Sequence, residues 1–137
     1  MENTYLKPLP VPDPDSEPFW QGCKRHRLLL RRCTDCGRLR YPPGPVCAHC
    51  GSRAGEWREA SGRGRVYSWI VVRHPVPQEV FAAEVPYVVA LIELEEGVRL
   101  ASNLVGCPPE AVAADMPVAV TFEDVSETIS LPKFRPA

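Results

Sequence analysis

Cys33-Thr34-Asp35-Cys36 and Cys47-Ala48-His49-Cys50, ten residues apart, decide how the first half of this chain folds. A C-x-x-C turn lets two thiolates reach one ion. Two such turns close a tetrahedral Cys₄ cage with no open coordination position. Gly37 and Gly51 follow the pairs directly and permit the positive φ that aims backbone amides at sulfur. The expected occupant is structural Zn²⁺ held by Cys33, Cys36, Cys47 and Cys50; iron in a rubredoxin-like cage and a redox dithiol pair are the alternatives. A closed cage folds a segment and does no bond-making. Its four thiolates and the ion together carry −2, which Arg31, Arg32, Arg38 and Arg53 are placed to offset. His49, between two ligands, reads as a solvent-facing knuckle residue.

On the N-terminal side, residues 1–18 form a proline-rich arm, including Lys7-Pro8-Leu9-Pro10-Val11-Pro12-Asp13-Pro14, which excludes helix or inner strand. It reads either as a disordered leader or as a segment that lies along a partner. Asp15 or Ser16 is suited to cap a helix running to about His26, with Phe19 and Cys23 on one face and Lys24, Arg25 and Arg27 on the other. Strands are expected at Leu28–Leu30, Leu39–Tyr41 and Glu56–Glu59, so residues 19–61 make a helix and a zinc ribbon. Ser61-Gly62-Arg63-Gly64 reads as a hinge.

Residues 62–137 read as β. Val66–Val72, Tyr87–Leu94, Val98–Leu104, Val118–Glu123 and Thr128–Leu131 are strand-like, with 73–86 a loop and 108–114 one or two helical turns. Five strands with a short helix between the third and fourth is the layout of an OB-type barrel. The fold class is mainly β: N-terminal helix, rubredoxin-like zinc ribbon, C-terminal five-stranded barrel.

The net charge of −1 hides an asymmetry: residues 1–65 carry +5 and residues 66–137 carry −6. An acidic barrel repels a polyanion, and Tyr67, Trp69, Tyr87 and Phe122 sit in apolar strand patterns that read as core, so nucleic acid is disfavoured. No apolar run approaches the ~20 residues that span a bilayer. The N-terminus has no signal-peptide core, and the location is read as cytoplasmic. Cys23 and Cys107 read as idle thiols, Cys107 without a recognisable base beside it. None of His26, His49 and His74 has an evident Ser or Cys partner, so no catalytic residue is assigned.

Phe19-Trp20, Leu28–Gly37, Tyr41-Pro42-Pro43, Cys47–Gly51, Gly62–Ser68, Pro86–Ala90, Glu95–Leu100 and the closing Leu131–Pro136 together resemble the zinc-ribbon/OB proteins long filed as a domain of unknown function. The resemblance runs over nearly the whole chain from residue 15. It implies accessory subunits or fused domains of acyl-CoA enzymes. Their partners have the thiolase fold: archaeal acetoacetyl-CoA thiolase with hydroxymethylglutaryl-CoA synthase, acyltransferases, and sterol-carrier-type aldolases of steroid side-chain breakdown. In the last case the module forms the C-terminal part of a hot-dog hydratase subunit, so this chain is expected to be a free subunit or an excised piece. No catalytic residue carries over; the four cage cysteines do.

The expected function is therefore a non-catalytic accessory subunit, in a hetero-oligomer with a thiolase-fold enzyme acting on acyl-CoA, with a CoA thioester possible at the interface. The apolar loop Val76–Ala83 is the expected contact. A CoA-binding module, holding nucleotide phosphates with Lys24, Arg25 and Arg27, and a single-strand nucleic-acid binder are the alternatives.

Overall fold

The computed structural model describes residues 5–137; the first four residues of the arm lie outside it. Asp13 fastens the turn that precedes the first helix. Its carboxylate accepts the Ser16 N–H at 2.8 Å, its carbonyl accepts the Glu17 N–H at 2.8 Å, and its own N–H donates to Ser16 Oγ. Ser16 stands at the N-cap of α1 (Glu17–Lys24) but makes no capping bond, because its hydroxyl is turned back to Asp13. Pro18 sits in the first turn, where a missing N–H is harmless. The helix stops two residues before His26, which takes the left-handed conformation at φ 59°. Gly22 permits the tight return: a Cβ there would stand 2.8 Å from Leu29 Cγ.

The ribbon is a three-stranded sheet in the order β2–β1–β3, with β1 at Leu29–Cys33, β2 at Leu39–Arg40 and β3 at Gly55–Glu59. The expected hinge is only a bend at Ser61-Gly62. Arg63 already opens β4 (Arg63–Val72), paired with β7. Gly62, at φ 81°, is buried, and no side chain fits there: a Cβ would meet Val120 Cγ1 at 2.6 Å.

Five strands close the barrel in the order β4–β5–β6–β8–β7, the strand order of an OB fold. The other four are β5 (Tyr87–Leu94), β6 (Arg99–Leu104), β7 (Pro117–Asp124) and β8 (Ser130–Pro136). A 3₁₀ turn at Pro109–Ala111 stands between the third and fourth barrel strands. Two expectations need correction. The 73–86 loop contains a short helix, α2 (Gln78–Phe81), started by Pro77. The last strand does not stop before Pro132 but runs to Pro136. It pairs with β6 only at Leu104–Phe134, and proline is tolerated where a strand edge needs no donor.

One core joins the two halves. Phe19, Cys23, Leu28 and Leu30 from the helix and ribbon pack with Val66, Ile92, Leu100, Val118 and Phe134 of the barrel. Two polar links add to it: Lys24 Nζ donates to the Ser126 carbonyl at 2.9 Å, and His26 Nε2 lies 2.9 Å from Asp124 Oδ1. The His26 ring is stacked on Phe122.

Candidate metal centre and surrounding surfaces

The two knuckles repeat one backbone pattern. The Cys33 carbonyl accepts the Gly37 N–H, and the Cys47 carbonyl accepts the Gly51 N–H, each at 2.8 Å. The Cys33 N–H donates to the Arg38 carbonyl, and the Cys47 N–H to the Ser52 carbonyl, again at 2.8 Å. Gly37 and Gly51 take φ of 80° and 77°. This turn aims amides at sulfur. The N–H groups of Cys36 and Asp35 pull the Cys33 thiol down, and those of Cys50 and His49 pull Cys47 down to about 6. Ser52 Oγ bonds to the Asp35 carboxylate and ties one knuckle to the other.

The four sulfur atoms lie within 4.8 Å of one another. Cys33 Sγ is 3.6 Å from Cys50 Sγ, and Cys36 Sγ is 3.6 Å from Cys47 Sγ. A tetrahedral Zn–S bond of ~2.3 Å requires sulfur–sulfur edges of roughly 3.8 Å. The spacing and the all-sulfur donor set therefore fit a zinc ion. Bound there, zinc cross-links the two turns and leaves no position for substrate. His49 is exposed, as expected of a knuckle residue.

Arg32 Nη1 reaches Glu56 Oε1 at 3.1 Å. Arg31 lies over the Trp57 ring, and Arg40 donates twice to the Gly44 carbonyl.

Other candidate residues are scattered. Cys23 is fully buried, and burial pushes its thiol up to about 12, so it is inert packing. Cys107 packs against the barrel core, and His74 is exposed beside Pro75. Lys24 and Arg25 line a cleft of about 660 Å³ between the arm, α1 and the β7–β8 turn. Glu17 and Glu127 line it too, and Arg27 leans away towards Glu59 at 4.0 Å. The three cations expected to hold nucleotide phosphates are thus split between the cleft and the Glu59 side. Within the loop expected to meet a partner, Phe81 turns inward onto Tyr87, whereas Val76 is 90% exposed. The arm is tied to this loop by Lys7 Nζ on Glu84 Oε1 at 2.8 Å.

One expectation about the barrel fails. Tyr67 and Trp69 are not core: they are 48% and 36% exposed, and Ile70 is 62% exposed. The cause is a bulge between Val66 and Ser68, which puts Tyr67 out of register. Beyond it β4 pairs with β5 alone, because β7 reaches only Arg63–Arg65. The missed signal was lost alternation: Val66–Val72 and Tyr87–Ile92 are apolar on both faces except at Ser68, the pattern of strands covered on both sides. Among the described residues, no helix is long and apolar enough to cross a membrane.

Comparison with known proteins agrees with this architecture. Residues 20–56 match the family described as "ChsH2, rubredoxin-like zinc ribbon domain", and residues 57–123 match "ChsH2, C-terminal OB-fold domain". The chain is 46% identical over 132 residues to a probable enoyl-CoA hydratase alpha subunit of Thermomonospora curvata, covering 96% of this chain and 40% of that protein. It is 44% identical over 110 residues to the 3-oxo-4,17-pregnadiene-20-carboxyl-CoA hydratase alpha subunit of Mycobacterium tuberculosis, covering 80% of this chain and 34% of that protein. The chain thus spans well under half the length of these two relatives. It is also 40% identical over 111 residues to a DUF35 domain-containing scaffold protein of Methanocaldococcus jannaschii, covering 79% of this chain and 77% of that protein. Among solved structures, a chain of the "Ltp2-ChsH2(DUF35) aldolase" superposes with a TM-score of 0.84 at 45% identity, covering 93% of this chain and 98% of that one. With a paired-knuckle ribbon, a five-stranded OB barrel and relatives of this similarity, the chain belongs to the DUF35 family of ChsH2-type zinc-ribbon/OB-fold proteins.

Proposed function

We propose that this chain is a non-catalytic accessory subunit that binds and supports a thiolase-fold enzyme acting on acyl-CoA. The favoured reaction is a retro-aldol cleavage in steroid side-chain degradation, in the cytoplasm. The observation that carries this reading is the match to a chain of the Ltp2-ChsH2(DUF35) aldolase over almost all of that chain. The steroid acyl-CoA named for the M. tuberculosis relative supports the substrate class. On this reading Cys33, Cys36, Cys47 and Cys50 hold structural Zn²⁺, residues 19–61 and 62–137 form the two functional units, and the partner holds the reacting atoms.

Co-purification with the Ltp2 aldolase subunit tests it. The two chains should co-elute, and cleavage of a β-hydroxyacyl-CoA with a steroid side chain should need both. Turnover by this chain alone, or no complex with Ltp2, overturns the reading. Calorimetry of the lone chain with CoA should give no heat; a saturable signal would favour the CoA-binding alternative.

A further inference from the structure

We propose that the free edge of β4, Tyr67–Val72, is completed by an extended strand of the partner enzyme subunit. The inference rests on the accessory-subunit reading and names the surface that reading requires. Past the bulge, residues 68–72 of β4 pair with Leu91–Tyr87 of β5, and their other edge has no strand beside it among the described residues. Past its bulge, the edge lacks the proline and the charged side chains that keep many such edges solitary. Val66–Val72 contains no proline and no charge.

The exposure pattern identifies the kind of occupant. Residues that pair across an antiparallel ladder share a face. Ile70 pairs with Val89, whereas Trp69 pairs with the buried Ala90. Ile70 therefore stands on the outer face and Trp69 on the inner one, yet both are exposed. A helix laid on the outer face covers Ile70, Val89 and Leu91 and leaves Trp69 wet. A strand added beside β4 covers both and satisfies the edge's backbone groups.

Charge identifies its source. Arg65 and Arg73 bracket the uncharged run. Because β7 already occupies the edge at Arg65, a two-fold pairing of two copies could use only residues 67–73, which contain no carboxylate to meet Arg73. Arg65 already holds Glu93 at 2.7 Å and Asp115 at 3.2 Å, while Arg73 makes no ion pair among the described residues. The incoming strand is thus heterologous, apolar through its middle, and carries a carboxylate at the Arg73 end.

The test is hydrogen exchange on the full chain alone and with the Ltp2 subunit, alongside affinities for Ser68→Lys, Ile70→Lys and Arg73→Glu. The expected result is new protection at 67–72 on binding and about tenfold or greater weakening by each lysine. Arg73→Glu should weaken binding and flatten its salt dependence. The lysine variants should keep the wild-type thermal midpoint, and the lone chain should run as a monomer. A complex that forms without protection at 67–72, or that tolerates both lysines, overturns the edge while leaving the accessory-subunit reading intact. A dimer of the lone chain through this edge overturns the heterologous occupant. Failure of the wild-type chain to bind Ltp2 overturns both.

Discussion

Stripping zinc should melt residues 33–57 and leave the barrel folded. Between Cys33 and Trp57 the only buried residues are Cys33 and Cys47, two prospective ligands. The remaining apolar contribution comes from Leu39, Tyr41 and Trp57, which are half-buried against the shared core. At half of the usual 1.5–3 kcal/mol for full burial, these three supply about 3 kcal/mol. Ordering the backbone costs conformational entropy at each of the 25 residues of this segment, more than three half-buried side chains return. The knuckle hydrogen bonds do not close that gap, because each nets only about 1 kcal/mol. A structural zinc contributes on the order of 10 kcal/mol. The barrel has its own core in Val66, Ile92, Leu100, Val118 and Phe134, with no ligand among them. Hydrogen exchange followed by mass spectrometry, before and after chelation under reducing conditions, reads both halves at once. Protection should vanish across 33–57 and persist in β5 and β7, and elemental analysis should find one zinc per chain before chelation. Unchanged protection in the ribbon once zinc is gone would refute the reasoning. Equal loss in the barrel would show that the shared core does not let the halves separate.

Three further outcomes are expected. Gly62→Ala puts a Cβ 2.6 Å from Val120 Cγ1 at φ 81°, whereas Gly97→Ala meets nothing within 4 Å at φ 85°. Thermal unfolding should show the first costing about 2 kcal/mol more than the second, the overpacking part alone; equal costs would rule out the clash. Phe134→Ala, which empties a fully buried site facing both β6 and β7, should cost about 3–5 kcal/mol by urea titration, and under about 1 kcal/mol would contradict the packing. The Asp124 carboxyl is held below its ordinary 3.8 by the Ser130 hydroxyl and then by His26, so its contribution is complete above that value and is lost as pH falls through the lower folded one. The gap in unfolding midpoint between wild type and Asp124→Asn should therefore shrink on acidification below pH 3.8, and a gap that widens there reverses the sign.

The cage was legible because its signal is local. Two C-x-x-C turns with following glycines specify both ligand set and backbone turn without help from the rest of the chain. Tyr87–Leu94 was legible to the residue because tyrosine and β-branched residues fill it and Glu95-Glu96-Gly97 ends it. What escaped depends on neighbours far along the chain. Whether β8 passes through Pro132 depends on how little of it β6 covers, and composition does not carry that. Whether Tyr67 and Trp69 are core depends on a bulge at Tyr67 and on where β7 ends. Apolar character alone places a residue against something apolar; it does not say whether that surface belongs to the same chain.

That last distinction bears on function. An OB barrel binds single strands through cations and exposed rings on its open face. Here the corresponding face, on the first three barrel strands, presents Ile70, Val89, Leu91 and Ala101, and its one exposed ring, Tyr67, lies under the Arg99 guanidinium at 3.7 Å. Arg99 and Arg65 are both drawn onto Glu93. Arg65 and Arg99 are thus offset within the sheet, and aliphatic side chains fill the space where bases would stack. On the accessory-subunit reading proposed above, the same barrel geometry with these side chains suits another protein's apolar surface better than a nucleic acid.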